Sequence, residues 1–341
     1  MNVVHLPSLP WQEMKSPTGK FQSFVCNVSL ALGGIANTGP WGGGHPFDVQ
    51  LRRVPPGAKV CPFHGHLAQW ELFVVRRGTA TVRTDEGLFT LRAGEVFYHP
   101  PGVSHQLMNN GSEELEVLIV ADNPPLDSCV YPDSNKRSLR PPGKFFRIEE
   151  VHYFDGEDEL PADVPPFKAS PSPAALDVAP FARRRLHPDD LPWAAWASPR
   201  GKFRGESKEL SIALGAKRNA PTGLGGHPFD LELSKLRPNE SGCPFHSHAA
   251  EWEMFMILRG SATVRAKAET RTLHAGDVVL HPPGEAHQIT IASDSEDLVF
   301  HLIASNAPVE YWHYPDSNKW GLRSPRGYFR ATAVDYWDGE E

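Results

Sequence analysis

Ser16-Pro17-Thr18-Gly19-Lys20-Phe21 returns 182 residues later as Ser198-Pro199-Arg200-Gly201-Lys202-Phe203, and this return decides how the chain is read. The same offset carries His45-Pro46-Phe47-Asp48 to His227-Pro228-Phe229-Asp230, His64 to His246 and His105 to His287. One residue is inserted beyond that point, so Tyr131-Pro132-Asp133-Ser134-Asn135-Lys136 matches Tyr314-Pro315-Asp316-Ser317-Asn318-Lys319 at an offset of 183. A repeat this long is no solenoid unit, because each copy can bury a core of its own. The expected organisation is a first domain over 1–158, a Pro-rich linker over 159–186 and a second domain over 187–341. The linker carries Pro161, Pro165, Pro166, Pro171, Pro173 and Pro180 with little hydrophobic periodicity, which predicts a stiff, extended connection. Intramolecular pairing of the two domains is expected, and a homo-oligomer is compatible with it.

Within each copy, short runs of partial alternation are separated by Gly and Pro turns. They are 48–54, 71–77, 79–84, 88–92, 95–98 and 115–121, answered by 230–236, 253–259, 261–266, 270–273, 277–280 and 298–304. Period-2 patterning of this length predicts strands, and no amphipathic helix longer than two turns stands out. The 33 prolines and 29 glycines favour the same outcome. The fold class is all-β, two tandem jelly-roll barrels related by duplication.

Composition excludes several function classes. A net charge of −7 with scattered basic residues gives no footprint for nucleic acid or anionic lipid. No stretch reaches the apolar length of a membrane span, and the Met1-Asn2-Val3-Val4 start does not read as a secretory leader, so a cytoplasmic location is expected. Cys26, Cys61, Cys129 and Cys243 show no disulfide or zinc-ribbon spacing and are expected to be reduced. The partner expected is a small-molecule substrate.

The chemistry gathers in His64-Gly65-His66, with Glu71 shortly after and His105 behind the Pro100-Pro101-Gly102 turn. Residues two apart on a strand share a face, so His64 and His66 can point together into a barrel. Glu71 opens the next strand, and the turn brings His105 back toward the same interior. The second copy repeats the set as His246, His248, Glu253 and His287. Three imidazoles and a carboxylate suit one divalent transition metal per domain, Mn, Fe, Ni or Zn, and disfavour Ca or Mg. Such a set leaves coordination positions open for a substrate or water.

These residues resemble the two motifs of the cupin superfamily. Gly57 to Gly78 is similar to G-x5-6-H-x-H-x4-E-x6-G, and Gly94 to Asn109 is similar to G-x5-P-x-G-x2-H-x3-N. In the second copy His246, His248, Glu253 and Gly260 fit the first motif, and Gly276, Pro282, Gly284 and His287 fit the second. It departs by carrying Asn239 in place of the leading glycine and Ile291 in place of the final asparagine. The resemblance covers most of each half and implies a bicupin of two cupin jelly rolls with the eight ligands named above. The Tyr-Pro-Asp-Ser segments are similar to those of a group of small cupins, and are expected to form an arm across each barrel.

Strand geometry also bears on residues outside these motifs. Cys61 and Cys243 stand an odd distance before the first ligand histidine, which predicts that they face away from it. His99 and His281, just before the Pro-Pro-Gly turns, read as donors that support a ligand, as proton shuttles or as strand-end packing, and His45 and His227, after glycine-rich runs, as site candidates on a mobile flap. Those runs do not match a phosphate-binding loop. Arg83 and Arg265 are expected to face solvent, and Gln106 and Gln288 to be structural.

The functional expectation is a metal-dependent enzyme acting on an organic acid or diol by direct binding to the metal. Similarity to bicupins implies dioxygenase or decarboxylase chemistry. A sugar or sugar-acid isomerase is the alternative within enzymes, disfavoured because no carboxylate beyond the ligands repeats in the predicted strands. A non-catalytic binding or storage protein is the alternative outside them.

Overall fold

The computed structural model describes residues 1–140, 143–149, 151–159, 161, 178–292 and 296–340. Pro165, Pro166, Pro171 and Pro173 of the expected linker lie outside the described residues. Two compact units are present: Trp11–Cys26 with Val49–Arg185, here the first lobe, and Met1–Pro10 with Asn27–Asp48 and Leu186–Glu341, the second lobe. Residues 1–10 and 27–48, which precede the first copy's motif, thus belong to the compact unit of the second.

The first lobe is built from two seven-stranded sheets. One runs Lys144–Phe146, Lys136–Arg140, Asp127–Tyr131, His64–His66, Ser104–Met108, Thr79–Thr84, Gly87–Arg92. The other runs Arg185–Leu186, Val96–His99, Glu71–Arg77, Leu115–Asp122, Phe47–Val54, Gln22–Asn27, Gln12–Lys15. In the second lobe, Asn2–His5 is the edge strand, followed by Asp277–His281, Glu253–Arg259, Leu298–Ser305, Phe229–Leu236, Arg204–Glu209 and Ala194–Ala197. Its facing strands include Ser261–Ala266 between Thr270–His274 and His287–Ile291. The predicted strands are found with ends displaced by a residue, and the α-helices, Val28–Ala31 and Leu210–Ala213, are single turns. Among the described residues no helix is long and apolar enough to cross a membrane.

Alternation places the cores. Val54, Phe73, Val75, Leu107, Val117 and Ile119 face inward in the first lobe, where Phe181 is also fully buried. Leu236, Phe255, Ile257, Ile289 and Phe300 do so in the second. Two backbone demands explain motif residues. A Cβ on Gly78 or Gly260 would come within 2.8 or 2.6 Å of a facing carbonyl oxygen, at φ of 78° and 77°. Gly57 and Asn239 both sit left-handed, at φ 76° and 66°, and asparagine is the residue that tolerates this best after glycine. The departure at Asn239 therefore preserves the turn.

The arm expected around each Tyr-Pro-Asp-Ser segment is a hairpin paired into the sheet: Asp127–Tyr131 and Lys136–Arg140 pair with each other, and Asp127–Tyr131 pairs with the His64–His66 strand. Tyr311–Tyr314 likewise pairs with Ser247–His248. The strand was hidden because it is short and its alternation is broken by the Pro-Asp-Ser turn.

Candidate metal centres

Strand pairing assembles the first cluster. His105 lies directly across from His64, and Glu71 begins the strand of the facing sheet. The ligand atoms of His64, Glu71 and His105 lie within 4.8 Å of one another. Glu71 Oε2 is 2.8 Å from His105 Nε2 and 3.6 Å from His66 Nε2. The 2.8 Å approach does not align as a hydrogen bond, so this buried oxygen is left without one. Outside the cluster, His64 Nδ1 donates to Pro62 O at 3.0 Å and His66 Nδ1 to Asp127 Oδ2 at 2.6 Å. Those bonds turn each Nε2 inward, toward the cluster.

The second cluster is tighter. His246, His248, Glu253 and His287 all place a ligand atom within 4.8 Å of the others. Glu253 Oε2 lies 2.7 Å from His287 Nε2 and 3.2 Å from His248 Nε2, and the Nε2 atoms of His246 and His248 meet at 3.1 Å. His246 and His287 spend Nδ1 on the carbonyls of Pro244 and Glu285, at 2.9 and 3.1 Å. Ring nitrogens and an acid oxygen thus face one point in each lobe, the arrangement a cation would relieve.

Electrostatics agree with that fit. Burial alone would raise Glu71 and Glu253, yet the surrounding imidazoles hold both carboxyls well below the usual range. Burial would lower His66 and His248, but Glu71 with Asp127, and Glu253 with Glu310, raise them to about 10. Burial wins at His246, which falls to about 4. Each cluster therefore draws positive charge, and these residues suit a divalent transition metal.

Asp127, which bonds His66, and Glu310, which at the matching position stands 3.6 Å from Nδ1 of His248, were missed by sequence reasoning. Asp127 Oδ1 accepts from the backbone of Ala68 at 3.0 Å, and Glu310 accepts from Ala249, Ala250 and Glu251 at 2.9, 2.9 and 2.7 Å. This repeated pair of carboxylates lies outside the strands predicted from the sequence, and the offset of 183 was the signal for it. His99 stacks on His105 at 4.0 Å and His281 on His287 at 4.1 Å, so both touch a candidate ligand. Burial drives His99 well below its usual value and His281 to about 4, which keeps these rings neutral. Tyr131 and Tyr314 stack on His64 and His246, each at 5.9 Å.

Other candidates fall elsewhere. His45 belongs to the second lobe and packs against Trp252 at 5.1 Å, while His227 is buried; neither is part of the groupings around Glu71 and Glu253. Their glycine-rich runs form short turns around Pro40–Gly42 and Thr222–Leu224. Cys61 and Cys243 do not face away: both line the cavities beside the clusters, because they precede the strand and its alternation does not reach them. Arg83 and Arg265 lie outside, over Phe63 and Phe245 and paired with Asp133 and Asp316. Gln106 and Gln288 bond the carbonyls of Cys61 and Cys243 at 2.7 Å each.

Each cluster opens on a cavity, of about 130 Å³ in the first lobe and 150 Å³ in the second. The first is lined by His64, Glu71 and His105 together with Arg52 and Gln50. Arg52 donates from Nη1 to Ser23 Oγ at 3.1 Å, its Nε is buried without a partner, and among the described residues no carboxylate pairs with it. The second cavity carries Ser234 and Glu232 at the matching positions. Comparing copies hides Arg52, since nothing basic answers it.

Comparison with known proteins agrees with this architecture. The cupin domain model matches residues 50–121 and 232–304. Auxin-binding protein 1 of Arabidopsis thaliana is 30% identical over 95 residues, covering 25% of this chain and 47% of that protein. Alginate biosynthesis protein AlgA of Pseudomonas putida is 36% identical over 88 residues, covering 24% and 18%. The chain thus matches less than half the length of these curated relatives. Among solved structures, a tryptophan-to-tyrosine variant of Bacillus subtilis oxalate decarboxylase superposes with a TM-score of 0.51 at 15% identity, covering 90% of this chain and 77% of that one. The same enzyme at pH 4.6 gives 0.51 at 15%, covering 90% and 76%. With two cupin domain matches on two copies of one all-β architecture, the chain is a bicupin of the cupin superfamily.

Proposed function

We propose that this bicupin is a metal-dependent enzyme that acts on a small organic acid in the first lobe, by decarboxylation or by dioxygenase-type cleavage. One observation carries the substrate class: Arg52, a half-buried cation without a carboxylate partner among the described residues, shares a cavity with His64, Glu71 and His105. A guanidinium in such a place suits a carboxylate, which it can hold by paired, charge-assisted hydrogen bonds.

His64, His66, Glu71 and His105 would hold the first metal ion and His246, His248, Glu253 and His287 the second, with Mn, Fe, Ni or Zn as the candidate ions. A bound ion of this kind supplies Lewis-acid polarisation of a substrate oxygen, or oxygen activation if it is redox-active. Arg52 binds and orients the acid. Phe73, Leu107 and Ile119 form an apolar wall that limits water. His99 and Asp127 hold the rings of His105 and His66 in place. The solved neighbours are named for decarboxylation of oxalate, a small dicarboxylate, and this supports the decarboxylase branch. Four free cysteines suit a reducing, cytoplasmic setting.

The test is elemental analysis and anaerobic reconstitution with Mn, Fe, Ni and Zn, followed by small-acid and catechol panels monitored for oxygen uptake and carbon dioxide release. Gas release without oxygen uptake selects decarboxylation, and oxygen uptake selects the dioxygenase branch. Arg52→Gln is expected to raise KM for the acid by about 10-fold or more. Silence on both panels with turnover of a sugar would refute the proposal in favour of isomerisation. Silence on all three favours a binding role.

A further inference from the structure

The two cavities differ most where the copies should agree. On the inward face of Phe47–Val54 stand Gln50 and Arg52; on the inward face of Phe229–Leu236 the same places hold Glu232 and Ser234. Glu232 pairs in register with Leu302, and Leu302 with Phe255 on the strand that begins at Glu253. Its carboxyl therefore lies in the same inward row as the cluster. Ser234 Oγ donates to Glu232 Oε1, which leaves the other oxygen for a ligand. Among the described residues, Lys235 is the one lysine or arginine lining this cavity, and it is engaged: its Nζ pairs with Glu206 and lies 4.4 Å from the Trp193 ring centre. No cation there can take the place of Arg52.

We infer that the lobes bind ligands of different charge: the first a small carboxylate, the second an uncharged, hydroxyl-bearing molecule that Glu232 holds beside the Glu253 cluster. The first half of this inference rests on the organic-acid reading above. A carboxylate entering the second lobe would meet three acidic side chains, Glu206, Glu232 and Glu253, and among the described residues lining the cavity no cation free of Glu206. An ammonium group would compete for the same electrostatic niche as a cation on the His246, His248, Glu253 and His287 set. A hydroxyl or carbonyl oxygen suits both neighbours: it can approach the cluster through a lone pair and donate a proton to Glu232 Oε2.

The experiment uses the full chain loaded with Co(II), with visible absorption as the readout. Glu253→Ala leaves the first lobe loaded and Glu71→Ala the second. Malonate, dihydroxyacetone and methylammonium serve as anionic, uncharged and cationic probes. Malonate is expected to act on the first lobe at concentrations about 10-fold or more below those needed at the second, and dihydroxyacetone to show the opposite order. Gln50→Glu with Arg52→Ser should remove the first lobe's malonate preference. Calorimetric titration of metal-free chain should give the same order, so a variant that loads cobalt poorly still yields a result. Malonate acting on both lobes within about threefold overturns this inference and leaves the organic-acid reading standing. Malonate acting on neither overturns both. Methylammonium outperforming dihydroxyacetone in the second lobe overturns the uncharged assignment.

Discussion

Replacing Asp127 by asparagine should cost the first lobe most of its metal affinity without touching a ligand. Asp127 Oδ2 accepts from His66 Nδ1 at 2.6 Å while Oδ1 accepts from the Ala68 amide at 3.0 Å and the Gln69 amide at 3.4 Å. Both oxygens therefore face donors. Asparagine offers one oxygen and one NH2, so either the backbone amides or the imidazole must meet a donor head-on. If the NH2 faces His66, the ring is pushed to the tautomer that protonates Nε2, the nitrogen aimed at the cluster. Loss of a charge-assisted hydrogen bond is worth about 1.5–3 kcal/mol, or roughly 10- to 150-fold. Loss of an outer carboxylate partner of a ligand histidine typically costs about 10- to 100-fold in metal affinity. Glu310→Gln should cost less, because His248 Nδ1 is 3.6 Å from Glu310 Oε1. Competition against a chelator of known affinity, on each variant with thermal unfolding as a control, measures this. Wild-type affinity within about threefold in a folded Asp127→Asn protein would refute the assignment of Asp127 as the residue that sets the His66 tautomer.

Glu71→Ala and Glu253→Ala are each expected to remove about one metal equivalent per chain by elemental analysis, and unchanged content would reject the ligand sets. Burial, reinforced by the charges of Glu209 and Glu253, raises the Glu232 carboxyl from 4.5 to about 7. The unfolded chain then loses this proton first as pH rises, so Glu232 costs nothing below about 4.5 and progressively more up to about 7. In metal-free protein, Glu232→Gln should gain thermal stability over wild type between pH 5 and 8 (roughly 1–2 kcal/mol, against a ceiling of about 3). A pH-independent difference would refute that origin. Phe181, fully buried against Phe89, Phe97 and His99 at 4.7, 5.9 and 5.7 Å, should cost about 3–5 kcal/mol when cut to alanine, read by denaturant unfolding.

The duplication, the strands and the ligand-type residues, seven of which gather into two close groupings, could be read from the chain alone, because these are set by local rules. Period-2 alternation, glycine at left-handed turns and histidines two apart on one strand all act within a few residues. Tertiary structure decided what depends on pairing between distant strands. Asp127 reaches His66 only because its short strand joins the sheet beside His64–His66, and Cys61 lines the cavity because the strand it was counted on begins after it. His45 was drawn to the first copy by its place in the chain, whereas contact assigns it to the second lobe. Arg52 against Ser234, and Gln50 against Glu232, were written in the sequence all along. Their meaning appeared only when the barrels closed and turned those positions toward the clusters, since the charge of a cavity is fixed by whatever faces it from every strand at once.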